Sequence, residues 1–96
     1  MSISLSTHVL DTAVGGPAAG VTVELLRGTE QIVSTETDGD GRARLAEALD
    51  PGLYRLVFHP PSAFFRRVEL ELQLDEGHYH VPLLVSPYSC ASYRGS

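Results

Sequence analysis

Polar and apolar residues alternate with period two along most of the chain. From Val68 to Leu74 the sequence reads Val-Glu-Leu-Glu-Leu-Gln-Leu, so Val68, Leu70, Leu72 and Leu74 share one face and Glu69, Glu71 and Gln73 the other. That alternation predicts a strand with one face on a core and one in water. Leu53 to His59 sets Tyr54, Leu56 and Phe58 opposite Leu53, Arg55, Val57 and His59. Leu5–Asp11, Val21–Leu26, Gln31–Thr37 and Tyr79–Val85 read as further strands, and Cys90–Arg94 as a short tail strand. Turn signals separate them: Gly15-Gly16-Pro17, Gly28-Thr29-Glu30, Asp38-Gly39-Asp40-Gly41, Asp50-Pro51-Gly52 and Pro60-Pro61-Ser62. Only Leu45–Leu49 has the composition of a helical turn. Strands punctuated every eight to twelve residues or so predict an all-β sandwich.

Composition narrows what such a sandwich can do. The 96 residues suffice for a single domain over 1–96 with a modest core, a size that gains from oligomerisation. The net charge of −5 argues against a nucleic-acid partner held through phosphates. All seven basic residues are Arg, so Schiff-base chemistry on a lysine and a Walker-type phosphate loop are excluded. The one cysteine, Cys90, staples nothing, and the expectation for it is a small buried apolar residue. The opening residues carry neither a basic n-region nor a long apolar run, and no segment has the length of a membrane span. The expected compartment is the cytoplasm.

The residues with chemical potential are His8, Arg42, His78, His80 and the tail Tyr93-Arg94-Gly95-Ser96. His78 and His80 are two apart and share a strand face, a spacing open to a metal pair or to a general base. A catalytic zinc site normally takes three protein ligands and no third is evident, so no metal is expected. A neighbouring Arg would keep an imidazole neutral, as a base requires. No Gly-x-Ser-x-Gly elbow is present, which argues against a serine nucleophile of that kind.

Four segments resemble the 5-hydroxyisourate hydrolases of the transthyretin-like family, and they come in that family's order. They are Leu5-Ser6-Thr7-His8-Val9-Leu10-Asp11-Thr12 with Gly16-Pro17-Ala18, Thr37 to Arg42, His78 to Pro87, and the tail Ser92-Tyr93-Arg94-Gly95-Ser96. The resemblance implies a transthyretin-like sandwich of two four-stranded sheets, assembled as a homotetramer (a dimer of dimers) with active sites in the channel between dimers. It implies His8, Arg42 and His80 as catalytic residues, and Tyr93, Arg94, Gly95 and Ser96 as substrate-binding. The chain departs from the family pattern in three places. Pro60 to Phe65 is too short for the usual short helix between the fifth and sixth strands, the stretch after Arg42 is trimmed, and Cys90 stands near the pocket where an aromatic residue is common.

The implied reaction is hydrolysis of 5-hydroxyisourate to 2-oxo-4-hydroxy-4-carboxy-5-ureidoimidazoline in urate degradation, without metal or other cofactor. His8 or His80 would take a proton from water, and Arg42 would stabilise the developing oxyanion. Which histidine is the base stays open at this level. The rival reading is a transthyretin-like small-molecule binding protein without catalysis, which would have no use for this polar constellation.

Overall fold

The alternating segments pair into two sheets that face each other across an apolar interior, in a computed structural model describing residues 2–95. The strands are β1 (Ile3–Asp11), β2 (Gly16–Pro17), β3 (Thr22–Arg27), β4 (Glu30–Glu36), β5 (Arg42–Leu49), β6 (Gly52–His59), β7 (Val68–Leu74), β8 (Gly77–His80), β9 (Leu83–Ser86) and β10 (Ser89–Ser92). No helix occurs among the described residues, and residues 60–67 form a loop where the family's short helix would stand. In that loop the Ser62 hydroxyl accepts the backbone N–H groups of Phe64 and Phe65.

One sheet runs β4-β3-β6-β7, antiparallel throughout. The other is built around β1, which changes neighbours along its length. Its first half pairs with β5 antiparallel on one side and β8 parallel on the other. Its second half pairs with β2 and β9 on the same two sides, with β10 beyond β9. Since β8 and β9 are one run broken at Val81 and Pro82, the six strands of this sheet lie three abreast (β5-β1-β8) along the first half of β1 and four abreast (β2-β1-β9-β10) along the second, where the resemblance implied a four-stranded sheet. Proline has no N–H to give a ladder, which accounts for the break. Val81 still donates to Ser6 O, and Thr7 Oγ1 donates to Val81 O at 2.6 Å.

The core follows the period-two pattern. Ile3, Leu5 and Val9 of β1 pack with Val23 and Leu25 of β3, with Tyr54, Leu56 and Phe58 of β6, and with Leu83 and Val85 of β9. On β7 only Leu74 is fully buried, while Val68, Leu70 and Leu72 are half-buried because β7 is a sheet edge. Every buried side-chain polar atom among the described residues has a hydrogen-bond partner.

Two expectations need correction. The run Leu45–Leu49 lies within strand β5, with Leu5 opposite Ala46 and Ile3 opposite Leu49. Its alanine and leucine content favours a helix only weakly, and the backbone groups of β1 take its hydrogen bonds instead, through a register irregularity between these pairs. Cys90 does not lie near the polar cleft described below: it sits opposite Val85 and packs on the core, where burial pushes its thiol pKa up.

Candidate active site

Ser4, Ser6 and His8 are the outward positions of β1, between the inward Ile3, Leu5, Thr7 and Val9. The parallel register of β8 sets His78 beside Ser4 and His80 beside Ser6. The antiparallel register of β5 sets Arg42 beside His8 and Arg44 beside Ser6. Residues from the beginning, middle and end of the chain thus meet on the outer face of the β1 sheet. They line an open cleft of about 630 Å³ whose walls include Ser6, Glu36, Asp38, Arg42, Arg44, His78 and His80. That is within the usual size for a small-molecule site. His8 lines an adjoining depression with Asp40 and Arg42, so Arg42 is common to both hollows.

The turn before β5 aims Arg42. Asp38 Oδ1 accepts the backbone N–H groups of Asp40 and Arg42 at 2.9 and 3.0 Å. The bond from Arg42 N–H is the main reason that the Asp38 carboxyl stays below its ordinary pKa. The turn ends at Gly41, which has φ of +77° and lies so close to β1 that an added Cβ would stand 2.5 Å from Val9 O. Only glycine fits both demands, and Gly41 O in turn receives the Val9 N–H at 2.7 Å.

Each imidazole is held differently. His8 Nε2 lies 2.8 Å from Asp40 O. A carbonyl only accepts, so this nitrogen carries the proton, and in the neutral ring Nδ1 is left as an acceptor. His80 is half-buried, with Nδ1 2.9 Å from Ser6 Oγ. Burial first, then the positive charge of Arg42 and the nearby His8 and His78, hold its pKa below the ordinary value. His78 is exposed and spans two hydroxyls, Ser4 Oγ at Nδ1 and Ser6 Oγ at Nε2. Among the described residues no group of three or more His, Cys, Asp or Glu side chains is placed to hold a metal ion.

The tail divides. Gly95 bridges to His80 in antiparallel fashion, its N–H donating to His80 O at 2.6 Å. A Cβ on Gly95 would lie 2.8 Å from His80 Cδ2, so with any other residue either the ring or the tail must shift. Arg94 turns away from the cleft: its guanidinium lies 4.1 Å from the centre of the Tyr79 ring, and one nitrogen approaches His78 O at 3.4 Å. Tyr93 and Arg94 line a separate groove along β7. Ser96 lies outside the described residues. The structure therefore brings His8, Arg42, His80 and Gly95 together and puts Tyr93 and Arg94 beside them.

Sequence reasoning passed over Ser4, Ser6 and Asp38. The signal for the two serines was present, since they precede His8 at period two just as His78 precedes His80. What was missing was the knowledge that β1 and β8 lie side by side.

The chain is 41% identical to the 5-hydroxyisourate hydrolase of Pseudomonas aeruginosa over 114 residues, covering 96% of this chain and 90% of the relative. That alignment is longer than the chain itself, in keeping with trimmed connections. A bifunctional uric acid degradation protein of Arabidopsis thaliana is 39% identical, and the chain spans 37% of its length. Among solved structures, Klebsiella pneumoniae 5-hydroxyisourate hydrolase matches with a TM-score of 0.89 at 35% identity, over 97% of this chain and 99% of that one. Sea bream transthyretin, solved in complex with thyroxine, matches with a TM-score of 0.85 at 26% identity, over 95% of this chain and 93% of that one. Such likeness runs from the first strand to the tail and coincides with a match to the HIUase/Transthyretin family pattern across residues 5–95, and the chain belongs to that family.

Proposed function

We propose that this chain hydrolyses 5-hydroxyisourate, opening its six-membered ring at an amide carbonyl to give 2-oxo-4-hydroxy-4-carboxy-5-ureidoimidazoline. The observation that carries the reading is the convergence of His8, Arg42 and His80 on one polar face, from strands far apart in sequence. Relatives of similar length and about 40% identity bear the name of that hydrolase. A binding protein without catalysis would gain nothing from a base and a cation so placed.

His80 is the base in this mechanism. Its ring is held by Ser6 at Nδ1 and stays neutral at neutral pH, which leaves Nε2 to take a proton from water. His8 offers its open Nδ1 to a ring N–H of the substrate. As water adds to the carbonyl, negative charge grows on oxygen, and the Arg42 guanidinium, which makes no side-chain hydrogen bond among the described residues, is free to meet it. Gly95 fixes the His80 backbone, and Tyr93 and Arg94 serve by anchoring the tail. No step needs a metal.

The domain is proposed to span 1–96, to work in the cytoplasm and to assemble as a homotetramer. Two features support assembly: β7 and β10 are open sheet edges, and Tyr93 and Tyr88 are 58% and 79% exposed. No helix among the described residues is long and apolar enough to cross a membrane.

Freshly generated 5-hydroxyisourate is expected to disappear faster with the purified protein than in buffer, equally with and without chelator. Decay at the buffer rate would sink the enzymatic reading, and loss of activity in chelator would sink the metal-free one. Sedimentation of the same preparation should show four chains per particle, and a monomer at micromolar concentration would count against a channel site.

A further inference from the structure

We propose that Ser4, His78, Ser6 and His80 form a proton relay, through which the Nδ1 proton of His80 moves toward solvent and back while Nε2 does the chemistry. The proposal rests on the reading of His80 as the base and names Ser4, Ser6 and His78 as positioning residues for that reaction.

Distance comes first. Ser4 Oγ lies 2.6 Å from His78 Nδ1, His78 Nε2 lies 3.2 Å from Ser6 Oγ, and Ser6 Oγ lies 2.9 Å from His80 Nδ1. The three contacts form one unbroken row along the β1–β8 pair, fixed by a parallel register that matches Ser4 with His78 and Ser6 with His80. The row begins at half-buried His80 and ends at exposed His78 and half-buried Ser4.

Donor and acceptor counting then allows the row two states in which all three bonds run the same way. A hydroxyl has one proton to donate, and a neutral imidazole donates from one nitrogen and accepts at the other. In one state His80 Nδ1–H donates to Ser6, Ser6 to His78 Nε2, and His78 Nδ1–H to Ser4, so that His80 Nε2 is bare. In the other every bond is reversed, and His80 Nε2 carries the proton. The first state is a base and the second an acid, and hydrolysis needs each in turn.

The charges around His80 give the relay its use. Arg42 and Arg44 face it from β5, His8 from β1 and His78 from its own strand, and Glu36 and Asp38 stand on the cleft wall. Burial and Arg42 disfavour an imidazolium at this place. With the relay none accumulates. A water proton reaches His80 Nε2 as hydroxide oxygen bonds to the carbonyl carbon. The Nδ1 proton passes to Ser6, the Ser6 proton to His78 Nε2, the His78 Nδ1 proton to Ser4, and the Ser4 proton to solvent. On collapse the carbon–nitrogen bond breaks and the leaving nitrogen takes the Nε2 proton. The row then runs back, ending on one proton taken from solvent. The net consumption is one water.

The test compares Ser6→Ala, Ser6→Thr and His78→Phe with the unaltered protein. Ser6→Ala and His78→Phe are expected to lower kcat at least about tenfold with little change in KM, less than the roughly hundredfold or more that losing the base itself would cost. Ser6→Thr, which keeps the hydroxyl, should restore most of the rate. In mixtures of light and heavy water, kcat of the unaltered protein should fall along a curve, since several protons move together, and along a straight line in Ser6→Ala. A residue that merely orients His80 would leave the line straight in both. Unaltered kcat in Ser6→Ala, or a straight line for the unaltered protein, overturns the relay. Nitrogen-15 spectra of the imidazoles decide the matter without substrate. His78 and His80 should exchange tautomers together, and independently in Ser6→Ala; independent exchange in the unaltered protein also overturns the relay. If 5-hydroxyisourate is not hydrolysed at all, the substrate reading fails and these spectra still decide the relay.

Discussion

Replacing His80 with alanine is expected to lower 5-hydroxyisourate hydrolysis by at least about a hundredfold, the lower bound for losing a general base. Arg42→Ala is expected to lower it by roughly a hundredfold to a thousandfold, as for the loss of an oxyanion donor. Both side chains lie on the outer face of the sheet, so the apolar core is untouched and unfolding should stay close to that of the unaltered protein. The pH profile separates the two roles. A base works when deprotonated, so the rate rises with pH through its pKa and then levels off. Burial, and next the charge of Arg42, hold the His80 pKa below the ordinary 6.5, so the midpoint of the acid limb should lie below that pH. Arg42→Ala removes one of those causes, the His80 pKa rises, and the acid limb should move to higher pH as well as lower rate. A near-normal rate in His80→Ala would mean that His80 is not the base. An unmoved acid limb in Arg42→Ala would mean that Arg42 acts too far from His80 to set its charge.

Deleting Tyr93 to Ser96 is expected to abolish hydrolysis while leaving the β-sheet circular dichroism intact. The deletion removes the bond from Gly95 N–H to His80 O, and with it the bridge that flanks the base. It removes no member of the apolar core, and termini so lightly tied seldom govern folding. Gly95→Ala is the finer probe, because the added methyl meets the His80 ring at 2.8 Å with the tail still present. The ring must turn or the tail must lift, and a displacement of this order at a catalytic group costs on the order of a hundredfold in rate. Full activity in the truncated protein would show that the tail contributes nothing to the site.

The sequence was most legible where one strand carries its own evidence. The alternation from Val68 to Leu74 predicts β7 to the residue, and Tyr54, Leu56 and Phe58 are buried as their spacing requires. It was least legible where the answer depends on a neighbour. Leu45–Leu49 has the residues of a helical turn, but β1 lies alongside and claims its backbone. Tyr79–Val85 reads as one strand and is two, since Pro82 leaves a gap. The site shows the same division. His8, Arg42 and His80 could be named from the resemblance, and the strand period alone put His78 with His80. Nothing in a linear pattern shows that Ser6 lies between His78 and His80, because that contact joins residues 72 and 74 positions apart. The resemblance named Arg94 as substrate-binding, and no linear pattern shows that its guanidinium lies over the aromatic face of Tyr79.

The central place of β1 also bears on how the molecule comes into being. Its first half waits for β5 on one side and for β8 on the other, with Ser4 and His78 74 positions apart. Pairings of such range close slowly, because chain entropy is lost before the contact rewards it. A chain that has folded its β4-β3-β6-β7 sheet alone holds half a sandwich and no cleft. Catalytic competence is therefore acquired in the last stage of folding, together with the closure of the core, and a denaturant titration should lose activity and sheet structure in the same transition.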